Sequence, residues 1–137
     1  MTAAPHLRAP HLRVGRQGED LAEKHLKARG LRVLERNFRT RHGELDLVCR
    51  AGDTLVFVEV KTRKAGSRAA PHQALTPAKR ARLARAAAEY LSAHGGWDAP
   101  CRFDLVEVVA PGEPDQALRH IENAFTLDGT ATGWQPW

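Results

Sequence analysis

The sequence predicts an α/β fold, a mixed β-sheet flanked by helices, with its elements in the order α-β-β-β-α-β-β. Residues 14–29 and 77–93 repeat apolar side chains with the spacing of an amphipathic helix. Short apolar runs lie between and after these segments, bounded by glycine, proline or aspartate, which is typical of strands. At 137 residues the chain is long enough for one domain with its own core.

The first helix is followed by three predicted strands. The helix ends at Gly30, because glycine readily adopts the left-handed conformation that terminates helices. Residues 31–39 form the first strand, and residues 43–49 and 55–61 form a hairpin around a loop at 51–54.

The second helix has a defined start signal. Thr76 is a favoured N-cap residue, and Pro77 fits the first helical position because the N–H that proline lacks would be unpaired there. Residues 101–109 and 118–124 are predicted as two further strands.

Three segments divide the chain: a flexible N-terminal arm at residues 1–12, the folded domain at 13–127 and a C-terminal tail at 128–137. No apolar run approaches the roughly 18 residues of a membrane span, and the N-terminus lacks the pattern of a signal peptide. Cys49 and Cys101 both lie in apolar runs, which indicates reduced thiols. We therefore expect a cytoplasmic protein without a membrane partner.

The formal net charge is +5, from 21 Lys and Arg residues against 16 Asp and Glu residues. A basic balance favours an anionic partner such as nucleic acid. The residues predicted to contact phosphates are Arg63, Lys64, Arg68 and Lys79. A solvated loop would carry the same charges, so that alternative stays open.

Charged residues interrupt both strands of the hairpin. Side chains alternate between the two faces of a strand, and a slip of one residue would move charge onto the apolar face. The expected facing pairs are Arg50 with Leu55, Asp46 with Glu59, and Glu44 with Lys61. The opposite face is then wholly apolar and consists of Leu45, Leu47, Cys49, Val56, Val58 and Val60.

The pairing of Asp46 with Glu59 predicts a divalent-metal site. Directly opposed side chains have Cβ atoms about 5 Å apart, so both carboxylates can hold one cation. Mg²⁺ or Mn²⁺ takes oxygen ligands, and such an ion polarises a phosphate ester and activates a bound water. The backbone carbonyl of Val60 is a further predicted ligand, and the Lys61 ammonium can stabilise developing charge.

Glu19 is the fourth acidic candidate. It lies at the border of the apolar arc of the first helix, roughly 20° from Leu26. A carboxylate at that border can reach a site beneath the helix, and a solvated helical glutamate is the alternative.

Asp46 together with Glu59, Val60 and Lys61 resembles the motif of the PD-(D/E)xK nuclease superfamily, found in restriction endonucleases and archaeal Holliday-junction resolvases. Leu45 stands where the motif name has proline. Six blocks along nearly the whole domain resemble, more narrowly, the YraN-like endonuclease family. They are GRQGE at 15–19, GELDL at 43–47, FVEVKTR at 57–63, TPAK at 76–79, CRFD at 101–104 and IENAF at 121–125.

The resemblance implies a restriction-endonuclease-like sheet with the metal site at the hairpin. It implies that Asp46 and Glu59 are metal ligands and that Lys61 is the catalytic lysine. Glu19 matches the acidic residue on the first helix of the resolvases. The motif has no fixed role for Glu44, which is either a further metal ligand or a partner of the lysine. By analogy with those resolvases we expect a homodimer.

The function that these patterns predict is metal-dependent endonuclease activity, the hydrolysis of phosphodiester bonds in a nucleic acid, with DNA favoured over RNA. Branched or otherwise structured DNA is the substrate that the resolvases suggest. Two alternatives remain open. The chain can be a non-catalytic nucleic-acid-binding protein on a degenerate nuclease fold, or the charged residues can form a structural ion-pair network.

Overall fold

The computed structural model describes residues 10–126, and only the backbone of residues 10–14, 71 and 72. Its elements follow the predicted order. They are α1 (Pro10–Ala28), β1 (Arg32–Thr40), β2 (Gly43–Ala51), β3 (Thr54–Arg63), a 3₁₀ turn (Pro71–Ala74), α2 (Pro77–His94), β4 (Cys101–Val109) and β5 (Ala117–Phe125).

Helix α1 begins at Pro10, four residues before the predicted start and inside the segment predicted as an arm. Proline is tolerated in the first turn of a helix because it has no N–H to lose there. The rest of the arm, residues 1–9, and the tail at 128–137 lie outside the described residues.

The five strands form one mixed sheet in the order β1-β2-β3-β4-β5. Strands β3 and β4 are parallel because α2 carries the chain back between them, and the other neighbouring pairs are antiparallel. The mixed sheet flanked by helices is therefore confirmed. None of the described helices is long and apolar enough to cross a membrane.

The register of the β2–β3 hairpin is confirmed from the turn to the middle of the strands. The paired residues are Arg50 with Leu55, Cys49 with Val56, Val48 with Phe57, and Leu47 with Val58. The turn is tighter than the predicted loop, because Ala51 and Thr54 also pair. Gly52 takes a φ of 59°, which glycine adopts at little cost, and this permits the two-residue connection.

Each face of the sheet carries one helix and one apolar cluster. Helix α1 packs Ala22 and Leu26 against one face, and α2 packs Leu83, Ala87 and Leu91 against the other. The apolar side chains of the sheet are divided between the two clusters and supply most of their buried volume.

The prediction of one continuous apolar face on β2 was wrong at Leu45. That side chain packs with Val48 in the α2 cluster, whereas Leu47 and Cys49 pack in the α1 cluster. In a regular strand, neighbours on one face are separated by one residue. Leu45 and Val48 share a face but are separated by two residues. The alternation is therefore broken at Asp46, and β2 is locally irregular there.

Both outer strands contain an asparagine in the left-handed conformation. Asn37 in β1 and Asn123 in β5 each have a φ of 54°. Asparagine is one of the few residues with a side chain that adopts this conformation at moderate cost. The register also shifts within the β1–β2 and β4–β5 pairings, so neither outer strand is regular along its length.

Asp104 is a buried carboxylate that ties β4 to β5. It accepts hydrogen bonds from Arg102 at 3.0 Å, His120 at 2.8 Å and the Asn123 N–H at 2.9 Å. Burial by itself would raise the pKa of Asp104, but the hydrogen bonds from His120 and Arg102 hold it below its usual value. We interpret Asp104 as a structural residue that holds the edge strand.

Helix α1 approaches β3 closely at Gly18. A Cβ atom placed on this buried glycine would overlap with Thr62 Oγ1, whereas one placed on Gly15 would meet nothing within 4 Å. The small residue therefore sets the distance between the helix and the sheet next to Glu19.

We predict opposite effects for two glycine-to-alanine substitutions in α1. Gly15→Ala gains helix propensity and stabilises the protein by up to about 1 kcal/mol. Gly18→Ala destabilises it by about 1–3 kcal/mol, because the added methyl group overpacks against Thr62. Urea unfolding of both variants measures the difference. Adding Thr62→Ala should remove the penalty at Gly18, and a penalty that persists in the double variant would contradict this explanation.

Candidate metal centre

The candidate site lies where the pairing of β2 with β3 ends. The last paired residues are Leu47 and Val58, although β3 continues beside β4 as far as Arg63. Past this point the Val60 N–H donates to Asp46 Oδ2 at 2.8 Å. A side-chain carboxylate thus replaces the backbone acceptor that a continued ladder would have supplied.

Asp46 and Glu59 are brought close together at this opening, near enough for the Glu59 carboxyl group to act on the protonation of Asp46. Burial and then the neighbouring Glu59 carboxylate raise the pKa of Asp46 to about 8. Among the described residues, no lysine, arginine or histidine forms an ion pair with Asp46. Within residues 10–126, Asp46 therefore has no cationic side chain that would stabilise its ionised form.

Glu59, unlike Asp46, has a cationic partner. Lys79 Nζ, from the first turn of α2, lies 3.0 Å from Glu59 Oε2. The Glu59 side chain is 12% exposed and that of Lys79 is 34% exposed. The sequence predicts Lys79 as a phosphate contact, and the structure places it against the candidate metal ligand.

Glu19 approaches the same centre from α1. Burial and then the charge of Asp46 raise the pKa of Glu19. Arg36 of β1 lies 3.4 Å from Glu19 Oε1, and the Asn37 side chain donates to the same carboxylate at 3.3 Å. Glu19 is therefore a half-buried acidic residue at the border of the site and not a solvated helical glutamate.

Glu44 does not pair with Lys61, which corrects that alternative. It forms an ion pair with Arg39 at 3.1 Å and accepts a hydrogen bond from Asn37. The two strands have already separated at this level, so residues opposed in an ideal ladder no longer face each other. Glu44 still contributes to the raised pKa of Asp46 through its charge.

The basic residues that follow the site divide into two groups. Lys61, Lys64 and Arg68 are exposed, and Lys61 forms no ion pair with any residue in the described part of the chain. Arg63 is 12% exposed and pairs with Glu107 at 2.6 Å. A buried, paired guanidinium is not accessible to a phosphate backbone, so Arg63 does not fit the contact predicted for it.

The donor set at the centre fits a hard divalent cation with few protein ligands. Within residues 10–126, no group of three or more His, Cys, Asp or Glu side chains is placed to hold a metal ion, and the role predicted for Glu44 as a further ligand stays a prediction. Mg²⁺ usually keeps several waters and needs only one or two carboxylates. Asp46 and Glu59 meet that requirement, while the role predicted for the Val60 carbonyl stays a prediction.

Sequence reasoning missed two residues of the site. Asn37 donates to both Glu19 and Glu44, and Arg36 holds the acidic face of α1 through Asp20, Glu23 and Glu19. Both lie on β1, for which the sequence indicates a strand and no more. No local signal distinguishes them, because their partners are on a different element.

Residues 18–108 match the model of a family described as "Uncharacterised protein family UPF0102". The chain belongs to the UPF0102 family. The UPF0102 protein of Nitratidesulfovibrio vulgaris (strain DP4) is 50% identical over 127 residues, which cover 90% of this chain and 94% of that one. The UPF0102 protein STH1475 of Symbiobacterium thermophilum is 51% identical over 115 residues, 82% of this chain and 96% of that one. The UPF0102 protein of Anaeromyxobacter dehalogenans is 44% identical over 121 residues, 88% of this chain and 90% of that one.

The match confirms the family that the sequence blocks predict. The matched segment contains every residue of the candidate centre, from Glu19 on α1 to Lys79 on α2. None of these descriptions names an activity, a substrate or a ligand.

The raised pKa of Asp46 predicts how stability depends on pH when no metal is bound. Asp46 in the unfolded chain loses its proton near pH 3.8, whereas in the native protein it keeps the proton to about pH 8. The native state therefore binds more protons over this interval, so the free energy of unfolding falls as the pH rises through it. Urea unfolding in EDTA at about pH 5 and about pH 8.5 measures the change.

Asp46→Asn should flatten this dependence, because the amide oxygen still accepts the Val60 N–H but carries no charge. Asp53→Asn, at the exposed hairpin turn, is the matched control and should keep the wild-type slope. If the free energy of unfolding of Asp46→Asn still falls with pH as in the wild type, the buried Asp46 carboxyl group is not the cause of the pH dependence.

Proposed function

We propose that this UPF0102 protein is a metal-dependent endonuclease that hydrolyses phosphodiester bonds in DNA. The observation that carries the proposal is the closeness of Asp46 to Glu59 at the point where β2 and β3 separate, fixed by the hydrogen bond from the Val60 N–H to Asp46. Two carboxyl groups so close together are costly in a folded protein unless a cation or a proton neutralises them. The resemblance to the PD-(D/E)xK nucleases supports the same assignment, with Mg²⁺ or Mn²⁺ as the ion.

Each residue of the centre has a distinct part in the proposed reaction. Asp46 and Glu59 hold the ion, which, when bound, polarises the scissile phosphate and lowers the pKa of a coordinated water. Lys61 follows Glu59 by two residues on β3 and extends into solvent, where its ammonium stabilises negative charge on the phosphate. Glu19 lies beside Asp46 and accepts hydrogen bonds that orient its carboxylate.

The exposed basic residues supply a surface for the nucleic-acid backbone. Lys64 and Arg68 lie in the loop directly after β3, on the same stretch of chain as Lys61. The net charge of +5 favours association with a polyanion, and such contacts weaken as salt rises. Contacts to phosphates position the DNA backbone but do not read the base sequence. We therefore propose that the protein recognises the shape of its DNA substrate, for example a branch.

A non-catalytic DNA-binding protein is the second candidate, and a specific observation favours it. The Glu59 carboxylate already has Lys79 as a counter-cation, and within residues 10–126 no third side-chain ligand joins the centre. This candidate predicts salt-sensitive DNA binding that is equal in EDTA and in Mg²⁺, with no cleavage of any substrate.

We predict that cleavage requires both carboxylates. With Mg²⁺ or Mn²⁺ and a panel of junction, flap, single-stranded and duplex DNA, Asp46→Ala and Glu59→Ala should lose detectable cleavage. Lys61→Ala should lower the rate by roughly 10²-fold or more because charge on the phosphate is no longer stabilised, but should keep metal binding. Gel assays measure cleavage, and calorimetry measures Mn²⁺ binding.

Asp53→Ala is the matched control, because it removes an exposed aspartate at the far end of the same hairpin. It should cleave like the wild type. Equal cleavage by wild type and Asp46→Ala would identify a contaminating nuclease. DNA binding without cleavage under all these conditions would establish the non-catalytic candidate.

A further inference from the structure

Lys79 occupies a position at which an α-helix disfavours a cation. It is the third residue of α2, and its backbone N–H donates to the Thr76 side chain of the N-cap. The N-terminus of a helix carries partial positive charge, which favours acidic residues and opposes lysine. The first turn of α2 contains no acidic residue that would offset this effect.

Glu59 on β3 offsets the unfavourable position of the Lys79 charge at the helix N-terminus. Its carboxylate lies 3.0 Å from the ammonium. Within residues 10–126, the neighbouring Asp46 forms no ion pair with a basic side chain. In that part of the chain, the two acidic residues therefore share one cation, which is bonded to Glu59, a proposed metal ligand.

The backbone of Lys79 is fixed by the packing of α2, whereas its ammonium is partly exposed and is held by the ion pair with Glu59. Helix α2 is fixed to the sheet by buried residues such as Leu83, Ala87 and Leu91. The lysine side chain is a flexible four-carbon stem with a compact, strongly hydrated charge, and about a third of it is exposed. The ammonium can therefore leave Glu59 without any movement of the helix.

We propose that Lys79 is an exchangeable counter-cation of Glu59, and that the ammonium and a divalent metal ion are alternative partners of this carboxylate. The inference rests on the proposed function, because it takes Glu59 to be a metal ligand. Without metal, the Lys79 ammonium neutralises the Glu59 carboxylate. When metal binds, the ammonium is released at the mouth of the site, where it faces the phosphate backbone.

Removal of Lys79 should therefore tighten metal binding to the protein alone. We expect Lys79→Met and Lys79→Gln to bind Mn²⁺ roughly two- to ten-fold more tightly than the wild type, as suits the loss of a partly exposed ion pair. Lys79→Arg keeps a cation that competes with the metal for Glu59, so its Mn²⁺ affinity should remain closer to that of the wild type. Calorimetric titration with Mn²⁺ in the absence of DNA measures these affinities.

Lys24→Met is the matched control, because it removes the same charge from an exposed position on α1. It should leave the Mn²⁺ affinity unchanged. Thermal unfolding gives a second readout: Mn²⁺ should raise the melting temperature of Lys79→Met more than that of Lys24→Met. This comparison also shows that both variants are folded.

The outcomes separate the two proposals. If Mn²⁺ binding is lost in Asp46→Ala but is equal in Lys79→Met and Lys24→Met, the metal centre stands and the exchange is wrong. Weaker Mn²⁺ binding by both uncharged Lys79 variants would likewise overturn the exchange. If neither the wild type nor Lys79→Met binds Mn²⁺ in a manner that depends on Asp46, both proposals fall.

Discussion

The hydrogen bond from the Val60 N–H to the Asp46 carboxylate is the contact on which the centre depends. Strand β2 leaves β3 after the Leu47–Val58 pair, and a buried backbone N–H without an acceptor would cost free energy. Asp46 supplies the acceptor and is thereby fixed close to Glu59. One side chain thus supplies the acceptor that the ladder lacks and places two carboxyl groups side by side.

The elements around this gap contribute residues from both faces of the sheet. Helix α1 brings Glu19 from one side, at a distance that Gly18 permits, and α2 brings Lys79 from the other. Strand β1 adds Asn37, which donates to two of the surrounding carboxylates. The centre therefore requires the complete three-layer arrangement, although its two principal acids come from a single hairpin.

The sequence was sufficient for the fold because its signals are local. The helical period, the cap at Thr76 and the alternation on the hairpin together predict the element order and the register near the turn. Prediction failed where the local period no longer applies. Leu45 changes face because the strand is irregular at Asp46, and Glu44 turns to Arg39 because β3 is no longer its neighbour.

The partners of the basic residues could not be predicted for a different reason. Arg63 and Lys79 look alike in the sequence, because both are basic residues close to the loop after β3 that is predicted to contact phosphate. One is buried against Glu107, and the other is bonded to the candidate metal ligand. These partners come from β4 and β3, so only the packing of distant segments decides them. Burial and pairing, rather than charge alone, separate a structural cation from one that is accessible to a ligand.

The left-handed asparagines in β1 and β5 have a consequence for association between molecules. A free sheet edge presents a row of N–H and C=O groups that can template another chain, and regular apolar edges promote aggregation. Here both outer strands contain an asparagine with a φ of 54°, Asn37 in β1 and Asn123 near the end of β5. Strand β1 also carries Arg32, Arg36 and Arg39. These left-handed residues, together with the arginines of β1, disfavour extension of the sheet by a second copy of the chain.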